Sequence, residues 1–106
     1  APVQVKILPI SDKFMDYALK VKKQLEMVNI KVELDSRAEK IGYKIREAQM
    51  QKVPYMFVVG EKEAESNTVS VRERQKGDMG SMNIEEISNI ILSKISSREN
   101  DSPQLI

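Results

Sequence analysis

Cysteine and histidine are both missing from this chain, and so is tryptophan. Their absence removes disulfides, thiolate nucleophiles, imidazole bases and any zinc site built from the usual nitrogen and sulfur ligands. Glycine and proline are sparse, at four each, which excludes collagenous and low-complexity architectures. No apolar run approaches the roughly eighteen residues of a membrane span. The N-terminal Ala1-Pro2-Val3-Gln4-Val5 has neither the basic start nor the apolar stretch of a signal peptide. Together these absences point to a soluble intracellular setting, cytoplasm or organelle matrix, with no membrane partner. Excess charge of one sign is lacking too: 17 Lys and Arg face 16 Asp and Glu, so the whole molecule has no field to hold a polyanion and any anion site must be local.

What is present is a globular balance, 41% apolar and 31% charged over 106 residues, enough for one hydrophobic core and one domain. Alternation of Val3, Val5 and Ile7 predicts a first strand ending at Pro9. A strand starting so early suggests a module cut from a longer protein, although removal of an initiator Met would leave the same end. Ser11 or Asp12 can cap a helix whose apolar stripe is Phe14, Tyr17, Ala18, Val21, Leu25 and Val28, with Asn29 in the left-handed position that ends it. Ile30, Val32 and Leu34 alternate as a second strand. Strand, helix, strand with a right-handed crossover is a parallel unit, which favours an α/β fold. A second helix is expected over Glu39 to Gln51, closed by Pro54. The continuous run Tyr55 to Val59 reads as a central strand buried on both faces.

Gly60 to Asn67 reads as a polar connection, and Thr68 to Arg72 as an alternating strand too close in sequence to return parallel, so the sheet is mixed. Gln75 to Asp78 form a turn, Met79 to Met82 a short edge strand, and Asn83 with Glu86 a capping box for a last helix bearing Ile84, Ile87, Ile91 and Ile95. Periodicity fails after Ser96. The expected organisation is therefore one domain over residues 1–96 and a flexible tail over 97–106.

Catalytic chemistry finds little support. The turn after the first strand, Pro9-Ile10-Ser11-Asp12-Lys13, lacks glycine and carries an acid, against a phosphate-cradling loop. Glu61, Glu63 and Glu65 are interleaved with Lys62 and read as a solvated charge run, not a cation cage. Glu85 and Glu86 suit a helix N-terminus, with no sign of an acid-base pair. The stretch from Arg37 to Lys52 stands out: Arg37, Lys40, Lys44, Arg46 and Lys52 oppose only Glu39 and Glu47. Such a face can contact phosphates, although on charge alone an ordinary solvated helix reads the same way.

Arg37-Ala38-Glu39-Lys40-Ile41-Gly42-Tyr43-Lys44-Ile45-Arg46-Glu47-Ala48-Gln49, then Lys52-Val53-Pro54-Tyr55-Met56 and Val58-Val59-Gly60-Glu61-Lys62-Glu63, closely resemble the C-terminal anticodon-binding domain of threonyl-tRNA synthetases, a class II aminoacyl-tRNA synthetase family. Thr68-Val69-Ser70-Val71-Arg72 and Asp78-Met79-Gly80-Ser81-Met82 resemble the same domain. The resemblance implies a three-layer α/β/α fold around a five-stranded mixed sheet. It also implies an RNA-binding appendage that grips the anticodon loop of threonine tRNA while a separate catalytic domain of the parent ligase carries out ATP-dependent aminoacylation. The fragment by itself would be non-catalytic and cofactor-free; ATP, magnesium and zinc belong to that other domain, and the parent is expected to be a homodimer.

By the same resemblance Glu63 and Arg72 read bases, on one rim of the sheet, and Lys52, Arg37, Lys40, Lys44 and Arg46 supply RNA contacts. The carboxylate suits the N–H groups of the guanine Watson–Crick edge and the guanidinium suits carbonyl oxygens. Read without the resemblance, Glu63 with Arg72 is a surface ion pair. Ala38 departs from the Asn common in the family, removing a side-chain hydrogen bond. Lys52 stands where some relatives carry Arg, giving a point charge in place of a fork. A free-standing relative acting as an interaction or regulatory subunit is the alternative.

Overall fold

The computed structural model describes residues 3–101. Its elements are β1 (Val5–Pro9), a 3-10 turn (Asp12–Phe14), α1 (Met15–Met27), β2 (Val32–Leu34), α2 (Ile41–Met50), β3 (Tyr55–Val59), α3 (Glu61–Ser66), β4 (Thr68–Glu73), β5 (Gly77–Asn83) and α4 (Ile84–Asp101). The five strands form one sheet in the order β2-β1-β3-β4-β5. β1 is parallel to β2 and β3, whereas β3–β4 and β4–β5 are antiparallel. The mixed α/β/α sheet is as expected, and β3 is its central strand.

Alternation assigns the two faces. Val5 and Ile7 of β1, Tyr55, Phe57 and Val59 of β3, and Val69 and Val71 of β4 pack against Ala18, Val21 and Leu25 of α1 and Ile84, Ile87 and Ile91 of α4. A fully buried Val, Leu, Ile or Phe among them contributes about 1.5–3 kcal/mol over its exposed state. The opposite face holds a smaller cluster, Leu8, Met56 and Ala48, with Ile41, Ile45 and Val58 beside it. Among the described residues, α2 supplies the helical side of that cluster.

The helix ends follow their sequence signals in part. Asn29 does adopt the left-handed conformation after α1, at φ 66°. Ser11 caps the 3-10 turn, its Oγ accepting from Lys13 N at 3.3 Å, and not α1 itself. Asn83 Oδ1 accepts from Glu85 N at 2.8 Å and Glu86 N at 3.4 Å, capping α4. α2 starts at Ile41 rather than Glu39, with no side-chain cap.

Two segments differ more. The polar connection over 60–67 contains the short helix α3, and Gly60 and Asn67 mark its ends: Glu63 Oε1 accepts from Gly60 N at 2.8 Å, while Asn67 is left-handed at φ 55°. A Cβ on Gly60 would lie 2.6 Å from Ile10 Cδ1, so the half-exposed Ile10 side chain would have to swing aside to admit one. The edge strand β5 is also longer than Met79–Met82, because the chain turns in only three residues, Arg74–Lys76, and Gly77 supplies φ 79° where it re-pairs with Glu73. α4 runs to Asp101, past Ser96. Of the tail expected over 97–106, residues 102–106 lie outside the described residues.

Candidate nucleic-acid interface

The α2 face of the sheet is only half roofed. α2 packs on β1 and β3, and its apolar partners stop at Met56 and Val58. On β4, Val69 and Val71 are committed to the opposite core, so Thr68, Ser70 and Arg72 point to the α2 side and stay partly exposed. Ser70 pairs with exposed Ser81 and Arg72 with exposed Asp78 on β5. The result is a polar strip of strand surface flanked by a helix. Opposite Val71 and Arg72, Met79 is an extra residue that breaks the register, and Gly80 takes φ 81° there. A bulge at this point bends the edge strand and re-aims the neighbouring side chains.

Glu63 stands at the start of α3. Its side chain is 8% exposed and holds the Gly60 N–H, so its first role is to cap that helix. No ion pair joins it to Arg72 among the described residues, so the surface ion pair read from sequence alone is replaced by a cap. The Glu63 charge also raises the pKa of the Tyr17 phenol, after burial, the larger cause. That phenol donates to Thr68 O at 2.7 Å and ties α1 to the start of β4.

The single rim is corrected by the register. Arg72 pairs with Met56, near the beginning of β3, whereas Glu63 bonds Gly60, just past its end. In a hairpin the loop between two strands and the far end of the second strand lie at opposite ends. Arg72 is four residues beyond Thr68, or ~14 Å along the strand. The two residues therefore stand at opposite ends of β4 and do not converge on one base.

The basic stretch divides into three. Lys44 is corrected: it is 3% exposed, its Nζ donating to Pro9 O at 3.1 Å and Asp35 O at 3.4 Å, so it ties α2 to two strand ends and cannot reach a phosphate. Arg37 is clasped. Its Nε and Nη2 donate to Asp35 at 3.0 and 2.8 Å, and its guanidinium also pairs with Glu47 and lies 5.6 Å from the Tyr43 ring centre. These carboxylates, Asp35 foremost, push the already high Arg37 pKa higher, and Arg37 in turn lowers the pKa of both. Arg37 orders the loop before α2 more than it offers a free charge. Lys40, Arg46 and Lys52 are exposed and form no ion pair among the described residues.

Lys52 is unusual in its backbone. It sits just after α2 at φ 61°, a left-handed conformation that favours glycine, while its N–H closes the helix on Gln49 O at 3.0 Å. Lys52→Gly is expected to stabilise the fold by about 0.5–1 kcal/mol, read as a raised urea midpoint. A lowered midpoint would show that the lysine side chain has a packing role.

The same chain matches a family model described as the anticodon binding domain over residues 4–94. It is 64% identical over 99 residues to a threonine–tRNA ligase of Clostridioides difficile (strain 630), covering 93% of this chain and 16% of that protein. Against the threonine–tRNA ligase of Acetivibrio thermocellus the identity is 57% over 100 residues, with 94% and 16% covered. Among solved structures, the RNA binding domain of threonyl-tRNA synthetase from Cryptosporidium parvum Iowa II superposes with a TM-score of 0.82 at 32% identity, over 88% of this chain and 24% of that one. The chain thus spans about one sixth of the ligases it matches, 16% of their length. With a family match across nearly the whole mixed sheet and its helices, the chain belongs to the anticodon binding domain family.

Proposed function

We propose that this chain is the anticodon-binding portion of a threonine–tRNA ligase, and that the open strip of β4, bracketed by Glu63 and Arg72, receives unpaired bases of the threonine tRNA anticodon loop. The observation that carries the reading is the half-covered sheet face, where α2 stops at Met56 and Val58 and leaves Thr68, Ser70 and Arg72 beside it. Single-stranded loops are read by base edges that a double helix hides, and such a strip offers hydroxyls, a carboxylate and a guanidinium at strand spacing. Threonine anticodons end in guanine then uracil. Glu63 keeps acceptor capacity beyond its bond to Gly60 and takes the guanine N–H donors; Arg72 takes carbonyl oxygens. Lys40, Arg46 and Lys52 attract the loop phosphates, with Arg37 and Lys44 acting behind them to hold α2 in place.

Aminoacylation then belongs to the rest of the ligase, with its ATP, magnesium and zinc and its homodimeric assembly, in the cytoplasm or an organelle matrix. Among the described residues no three carboxylates converge as a metal cage, and no helix is long and apolar enough to cross a membrane.

A stem-loop with a threonine anticodon should bind better than one of scrambled anticodon, and Glu63→Gln should weaken the matched complex by about 1 kcal/mol, since a neutral amide replaces a charge-assisted acceptor. Equal affinity for matched and scrambled stem-loops would refute base reading.

A further inference from the structure

On the other face of the sheet, between the end of β4 and α4, lies a cavity of about 160 Å³ that the RNA reading does not use. Pro54 and Ile91 give it an apolar wall, and Tyr55, Glu73, Arg74 and Lys94 give it polar groups. Tyr55 is 5% exposed, and its hydroxyl makes no short hydrogen bond among the described residues, although the Lys94 ammonium is close enough that Tyr55, after Glu73, helps to raise its pKa. A buried hydroxyl with donor capacity to spare favours an acceptor beside it.

The charges around it lean one way. Glu73 is 8% exposed and accepts from Lys94 Nζ at 2.9 Å, which uses one of the three donors of that ammonium. The Lys94 ammonium lies 5.7 Å from the centre of the Tyr55 ring. Arg74 adds a second cation to the lining, so cations outnumber the single carboxylate. An acceptor placed between a phenol and an ammonium, with Arg74 as a further cation in the lining, is bound more strongly when it carries a negative charge. A volume of this size matches about one benzene ring, and Pro54, Ile91 and Ile95 offer such a ring apolar contact.

We propose that this cavity binds a small monocarboxylate with an apolar body of about one ring, its carboxylate accepting from the Tyr55 hydroxyl and the Lys94 ammonium. None of the residues that line it is among those proposed to contact RNA.

The test is a titration of the 106-residue chain with benzoate, followed by amide chemical shifts. Saturable shifts are expected at Glu73, Arg74 and Lys94. Benzamide, alike in shape but uncharged, Tyr55→Phe and Lys94→Gln should each bind about tenfold or more weakly. Tyr55→Phe should be at least as stable as the parent chain, because it deletes an unpaired buried hydroxyl, so its loss of binding would not reflect unfolding. Shifts that remain linear into tens of millimolar, or benzoate binding to Tyr55→Phe at parental affinity, would overturn the proposal and leave water as the occupant.

Discussion

Asp35→Ala is expected to destabilise the fold by about 2–3 kcal/mol, although Asp35 lies outside the core and outside the proposed RNA strip. The Asp35 side chain is 2% exposed and accepts from the Arg37 backbone N–H at 3.1 Å as well as from the guanidinium. It is also a negative charge close to the buried Lys44 ammonium. Removing it leaves a buried cation with only carbonyl partners and releases the loop before α2. Severing a fully buried pair costs about 3–5 kcal/mol, and the figure here is lower because Arg37 stays half in water and keeps Glu47. The same network sets a pH response. Arg37 hydrogen bonds hold the Asp35 carboxyl below its ordinary pKa, and Lys94 does the same for Glu73. A depressed carboxylate stabilises the fold above its unfolded pKa, so stability should be full near neutrality and fall as pH drops below about 4 and through the lower folded values. Asp35→Asn should flatten part of that acid slope in denaturant melts; an unchanged slope would mean that the clasp does not persist in solution.

Arg72→Ala should lower affinity for the threonine anticodon stem-loop about tenfold to a hundredfold, the loss expected for a side chain that reads a base edge through two donors. Stability should move by no more than about 0.5 kcal/mol, since Arg72 is partly exposed and forms no ion pair among the described residues. Arg72→Lys separates two roles. A lysine keeps the charge and loses the planar fork, so binding of a scrambled stem-loop should survive while preference for the matched one narrows. Lys40→Ala and Arg46→Ala should act differently, weakening both stem-loops alike and reducing the dependence of affinity on salt by about one counterion each. If Arg72→Ala and Lys40→Ala give the same pattern, Arg72 is a phosphate contact and not a reader.

Much of this arrangement is legible in the sequence. The strands announce themselves by alternation, and Asn29 marks the end of α1 by residue type alone. Burial of Lys44 was legible too: it falls three residues after Ile41 and four before Ala48, on the apolar stripe of α2, but its charge invites a surface reading. α3 has only six residues and no apolar period, so it passes for a loop; the Gly60-x-x-Glu63 cap and Asn67 were its only signals. The ends of the strip could not be placed without the register, because alternation tells which face Arg72 occupies and not how far along the sheet it lies from Glu63. The Asp35 clasp joins a local contact to Arg37, two residues on, with Glu47 and Lys44 across the loop before α2, and an Asp beside an alternating strand carries no mark of those partners.

The central claim is that unpaired bases lie on the half-roofed face of the sheet. Amide chemical-shift mapping of the chain with a threonine anticodon stem-loop tests it directly. The expected result is a continuous set of perturbed residues from Gly60 and Glu63 through Ser70 and Arg72 to Ser81, with the outward face of α1, Lys20 and Lys23, unmoved. Perturbation concentrated on α1 and α4, with β4 silent, would contradict it.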